Sequence, residues 1–117
     1  MTERALSDDA FCVVLATASN HEEAQRLARA LVESRLAACV QLSPINSVYR
    51  WEGEVQQASE VLMLIKTSRA HFASMERLIT ALHSYSVPEI IQLPIERGAE
   101  NYLQWLASEL LDKESLT

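Results

Sequence analysis

At 117 residues the chain has the size of one domain, long enough to bury a core without disulfides. Hydrophobic residues make up 49%, with two Gly and three Pro, which excludes a disordered, collagenous or low-complexity chain. A net charge of −6 argues against nucleic acid or an anionic membrane surface as partner, since both call for a basic patch.

Residues 1–9 are acidic and polar and read as a flexible tail, with a single domain expected over 10–117. They lack a basic stretch followed by an apolar run, so no export signal is expected, and no segment is long enough to span a bilayer. Cys12 and Cys39 lie too far apart for a Cys-x-x-Cys motif, which fits a reduced, cytoplasmic protein.

Phe11 to Thr17 is a continuous apolar strand without a polar face. A helix start follows, where Ser19 with Glu22, or Asn20 with Glu23, offers a capping box. Ala24, Leu27, Ala28, Leu31 and Val32 then recur at helical spacing and predict one buried stripe. Leu36 to Val40 leads into a second strand that Pro44 is expected to interrupt or to mark as an edge.

The strand resumes through Val48–Trp51 into a hairpin whose loop is Glu52-Gly53, because Gly suits the positive φ of a tight turn. That loop pairs Trp51 with Glu54, Tyr49 with Gln56 and Ser47 with Ala58. On the return strand, Val61 to Ile65 are all apolar, so both sheet faces must be covered there. A second helix is expected from about Ser68 to His83, a fourth strand from Glu89 to Ile95 with Pro94 marking it as an edge, and a last helix from Ala99 to Leu111.

The order β-α-β-β-α-β-α predicts an α+β ferredoxin-like sandwich, antiparallel, with sheet order 4-1-3-2 and a C-terminal helix. In that topology the two crossover helices cover one face only. Strands apolar on both faces therefore predict self-association through the open face.

Five stretches together resemble the CutA divalent-cation-tolerance proteins. They are Leu36-Ala-Ala-Cys-Val40, Tyr49-Arg-Trp-Glu-Gly53, Glu60 with Ile65-Lys-Thr67, His83-Ser-Tyr-Ser-Val-Pro-Glu89, and Tyr102-Leu-Gln-Trp105. The resemblance covers residues 11 to 107 and implies a homotrimer related in architecture to the PII signalling proteins, a cytoplasmic location, and a link to copper and other divalent metals. The copper-binding pattern of the family has a Cys where this chain has Ala16, and two adjacent His where it has Leu82 and His83. Only His83 keeps a ligand type, so Cu²⁺ or another divalent cation is expected to bind weakly or not at all.

Glu60, Lys66, Tyr85 and Glu89 form a candidate polar cleft between subunits, for a small ligand. The competing reading is that Lys66 pairs with Glu89 or Glu60 in structural ion pairs. His83 is the candidate metal ligand, and Cys39 is a second soft donor that packing in an apolar strand equally explains. No nucleophile elbow, P-loop or zinc-protease motif occurs, so a non-enzymatic role in metal tolerance is expected. The alternative is a PII-like regulatory trimer that binds a small ligand or partner in its clefts.

Overall fold

In the computed structural model, residues 10–116 are described, so the expected tail over 1–9 lies outside them. Four strands make one sheet: β1 (Phe11–Ala18), β2 (Cys39–Trp51), β3 (Glu54–Ser68) and β4 (Ile90–Pro94). Their order is β2-β3-β1-β4, with every neighbouring pair antiparallel. This is the expected ferredoxin-like arrangement, written from the other edge. Helices α1 (His21–Glu33) and α2 (Phe72–Leu82) form the crossovers, and α3 (Glu100–Glu109) closes the chain.

Of the two possible boxes at the start of α1, Asn20 and Glu23 form the one used. The Asn20 side chain accepts from the Glu23 N–H at 2.8 Å, while the Glu23 carboxylate reaches back to the Ser19 N–H at 2.9 Å. The helix ends in a Schellman turn: the Leu36 N–H bonds the Leu31 carbonyl and the Arg35 N–H bonds that of Val32. The left-handed position of this turn, usually Gly, is held by Arg35 at φ 63. Ala24, Leu27 and Leu31 are buried as the stripe predicts, whereas Val32 at the rim is 41% exposed.

Pro44 does not interrupt β2. The strand runs unbroken from Cys39 to Trp51, and Pro44 sits opposite Val61 in regular register. Because β2 is an edge strand, a missing N–H facing away from β3 breaks no ladder bond. The hairpin register is the expected one, and both loop residues are left-handed, Glu52 at φ 51 and Gly53 at φ 82. That is the type I′ geometry whose twist matches the flanking strands.

The core lies between the sheet and α1 and α2. Val61, Met63 and Ile65 of β3, with Cys12, Val14 and Ala16 of β1, pack against Leu27, Leu31, Met75 and Ile79. Each large side chain among them stabilises the fold by roughly 1.5–3 kcal/mol of apolar burial. On the other face Val13, Leu15, Leu62 and Leu64 are only half-buried, and Ile91 and Leu93 of β4 are 47% and 46% exposed. α3 packs beside β3 and buries Leu106, but it leaves most of this apolar face open.

Candidate functional site

The segment from His83 to Glu89, between α2 and β4, is pinned by two buried side chains. His83 closes α2, its N–H bonding the Ile79 carbonyl, and its ring is wholly buried. Nε2 lies 2.6 Å from the Thr17 carbonyl oxygen, an acceptor only, so Nε2 carries the proton and donates. Nδ1 accepts the Tyr85 N–H at 3.0 Å. The imidazole is therefore neutral with both nitrogens engaged, and the 3.8 Å approach of Nδ1 to Glu23 Oε2 is not an ion pair.

Glu23, which the sequence marks only as a capping residue, is the second pin. Its carboxylate accepts from the Ser84 N–H at 2.7 Å and the Ser84 hydroxyl at 3.1 Å, besides the Ser19 N–H at 2.9 Å and the Ser19 hydroxyl at 2.8 Å. Burial pushes its pKa up, but the hydrogen bonds from Ser19 and Ser84 outweigh that and hold it down at about 2. One carboxylate thus satisfies the start of α1 and the loop after α2.

So held, the loop presents Tyr85 to the sheet. The Tyr85 hydroxyl donates to Glu60 Oε2 at 2.6 Å. Burial, then the hydrogen bond to Glu60 and its charge, push the phenol well above the ordinary tyrosine range. Beside this pair opens a pocket of about 610 Å³, walled by Trp51 and Tyr49 of the hairpin, Glu60, Thr17, Tyr85 and Glu89.

Three of the four expected cleft residues, Glu60, Tyr85 and Glu89, thus share one pocket. Lys66 does not join them within the chain. It faces the same side of β3 as Glu60, but six residues along the strand, roughly 20 Å away. Its ammonium donates to Gln41 Oε1 at 2.9 Å and lies 6.0 Å from the Tyr102 ring, so it pairs with neither Glu60 nor Glu89 here. Cys39 sits opposite Lys66 as a free thiol, away from His83. Among the described residues no three His, Cys, Asp or Glu side chains converge as a metal site. Trp51 and Trp105 are 46% and 42% exposed, and the Trp105 ring lies 5.5 Å from that of Tyr102.

The sequence profile of the CutA1 divalent ion tolerance protein matches residues 12–109. The chain belongs to the CutA1 divalent ion tolerance family. The "Divalent-cation tolerance protein CutA" of Thermus thermophilus is 50% identical over 95 residues, 80% of this chain and 92% of that protein. That of Pectobacterium atrosepticum is 44% identical over 111 residues, covering 94% and 99% of the two chains. Among solved structures, CutA1 from Oryza sativa aligns at a TM-score of 0.86 and 41% identity, over 88% of this chain and 95% of that one. The "Periplasmic divalent cation tolerance protein CutA" from Archaeoglobus fulgidus aligns at 0.84 and 40%, over 85% and 97%.

The CutA1 match contains every residue of the pocket, from Thr17 to Glu89. Three of these four names speak of divalent cation tolerance, and one of them of the periplasm. No helix among the described residues is long and apolar enough to cross a membrane.

Proposed function

We propose that this chain acts as a non-enzymatic, cytoplasmic homotrimer in tolerance of divalent cations, copper among them. The carrying observation is the open sheet face, where Ile91 and Leu93 stand nearly half exposed beside Val13, Leu15, Leu62 and Leu64. A contiguous apolar surface of this kind calls for a partner, and a second and third copy supply it. Copper is bound weakly, through groups brought together by assembly. His83 would have to give up Thr17 or Tyr85 to take a metal, and Cys39 offers one soft donor.

Native mass spectrometry of the reduced protein, with and without stoichiometric Cu²⁺, tests this. A trimer that gains copper in multiples of three is the expected result. A monomer overturns the reading of the open face, and a trimer without copper makes the metal role indirect.

A second reading has the pocket beside Tyr85 and Glu60 holding a small ligand, as in a PII-like regulatory trimer. Its support is the volume of about 610 Å³, within the range of small-molecule sites, with polar groups converging on aromatic walls. Lys66 joins this site only if a neighbouring subunit brings it there. A thermal-shift screen against metals and metabolites separates the two readings.

A further inference from the structure

We infer that residues 110–116 form a strap that locks α3 to the C-terminal end of α1 and the N-terminal end of α2. Arg35 and His71 are its two clasps, and α3 and the strap open together as one unit. Every contact concerned is made within the chain, so it holds whether or not a neighbouring subunit covers the sheet face. The strap also lies beyond the stretch that the CutA1 profile matches, which ends at residue 109.

The first clasp is the turn that ends α1. At the left-handed Arg35, carbonyl and side chain serve the same neighbour. The carbonyl accepts the Leu111 N–H at 2.9 Å, and the guanidinium donates to the Ser108 and Glu109 carbonyls at 3.0 Å each. A helix leaves its last carbonyls without partners of its own, and its dipole favours a cation beside them.

The second clasp is His71, buried together with Ser68 where α2 begins. Nε2 lies 2.6 Å from the Leu111 carbonyl oxygen, an acceptor only, so Nε2 carries the proton and donates. Nδ1 accepts from the Ser68 hydroxyl at 2.6 Å, which fixes the ring. Leu111 is thus gripped on both sides, its N–H by the turn after α1 and its carbonyl by the residue that precedes α2. Beyond it a 3₁₀ turn, Lys113–Ser115, brings Leu116 against the core.

The clasps and α3 cannot part separately. Leu111 stands two residues past Glu109, the last residue of α3, and Leu110 between them is buried. Releasing Leu111 therefore withdraws Leu110 and strips the Arg35 bonds from Ser108 and Glu109. At its other end α3 begins without a side-chain cap. The strap thereby decides whether α3 keeps the Tyr102 ring 6.0 Å from the Lys66 ammonium on β3.

Hydrogen exchange of the native assembly, read by mass spectrometry on peptides from α3, the strap, β1 and β3, tests this. His71→Phe removes the donor to Leu111 and keeps a ring in the site. It should speed exchange about tenfold in α3 and the strap alike, and leave β1 and β3 unchanged. His71→Gln supplies an N–H donor again and should recover most of the protection. Leu111→Pro deletes the N–H that Arg35 accepts, and Leu110 at ψ 151 already has the extended backbone required before proline. It should release α3 in the same way.

Faster exchange confined to the strap, with α3 as protected as in the wild type, overturns the inference. A rise that spreads over β1 and β3 overturns it too, by making His71 an ordinary core residue. So does wild-type protection in His71→Phe. Should His71→Phe not fold, Leu111→Pro decides between the same outcomes.

Discussion

The Tyr85 hydroxyl and the Glu60 carboxylate meet at 2.6 Å, joining the loop after α2 to the middle of β3. Behind Tyr85 the same loop is tied to β1 through His83 and Thr17, and to α1 through Ser84 and Glu23. The pocket wall is therefore a loop fixed at three successive residues to three different elements.

Tyr85→Phe removes the bond to a charged acceptor without changing the packing of the ring. It should lower stability by about 1 kcal/mol, at the small end for charged partners because Glu60 is partly solvated. An alkaline titration followed by tyrosinate absorbance gives a sharper readout. The substitution should delete only the last, most alkaline step of the wild-type curve, since Tyr85 is held above the ordinary phenol range. Loss of an earlier step would mean that the bond to Glu60 does not form in solution.

The Glu23 carboxyl is depressed from 4.5 to about 2 in the folded state. Its contribution is then fully present above about pH 4.5 and is lost as pH falls through about 2, below which both folded and unfolded forms are protonated. Glu23→Gln should cost on the order of 2–3 kcal/mol near neutral pH. The gap between variant and wild type, from urea midpoints, should narrow steadily as pH drops through that window. A gap independent of pH would assign the loss to packing alone.

Leu93→Lys places a charge in the open apolar face while leaving the α1–α2 core untouched, because Leu93 pairs with Val13 on the side away from Val14. Sedimentation velocity should show a shift to smaller species with the far-ultraviolet circular dichroism retained. An unchanged sedimentation coefficient would place the subunit contact elsewhere.

Arg35 occupies a left-handed backbone position, and its guanidinium bonds the Ser108 and Glu109 carbonyls at 3.0 Å each, capping the C-terminal end of α3. Both Arg35→Gly and Arg35→Ala lose these bonds, but only Gly relieves the backbone. Arg35→Ala should be the less stable of the two by about 1 kcal/mol in denaturant titrations. The opposite order would show that this turn relaxes when the side chain is removed.

What was legible in the sequence follows the range of the interaction. Glu52-Gly53 carries its own turn preference, so the hairpin register followed from two residues. The apolar run from Val61 to Ile65 announced apolar side chains on both faces of β3, of which the chain itself buries one and leaves the other half-buried. Pro44 marked β2 as an edge strand correctly but misled on its continuity, because the missing N–H matters only on the side that pairs, and the sequence does not say which side that is. Lys66 and Glu60 share one face of β3, but the length of strand between them keeps them apart, and residue type alone suggested that they could pair.

His83 was offered as a candidate metal ligand because the resemblance places it at one of the family's two His positions. That the Thr17 carbonyl and the Tyr85 N–H occupy both its nitrogens depends on contacts between distant parts of the chain. Glu23 with Ser84 was out of reach for the same reason. A helix cap is a local pattern, and the loop that shares it arrives only with the tertiary fold.

The β2–β3 hairpin also bears on how the chain acquires its structure. All thirteen residues of β2 pair with β3 outward from a two-residue loop, so each rung after the first closes almost no additional chain. By contrast, Val13 meets Leu93 only after nearly the whole sequence has been made. The hairpin has all its residues before β4 is made, so it should zip first and wait, marginally stable, for its partners. The rate-limiting event should then be the docking of β1 and β4 around this preformed ribbon. Substitutions at Gly53 would slow folding, whereas those in β4 would chiefly speed unfolding.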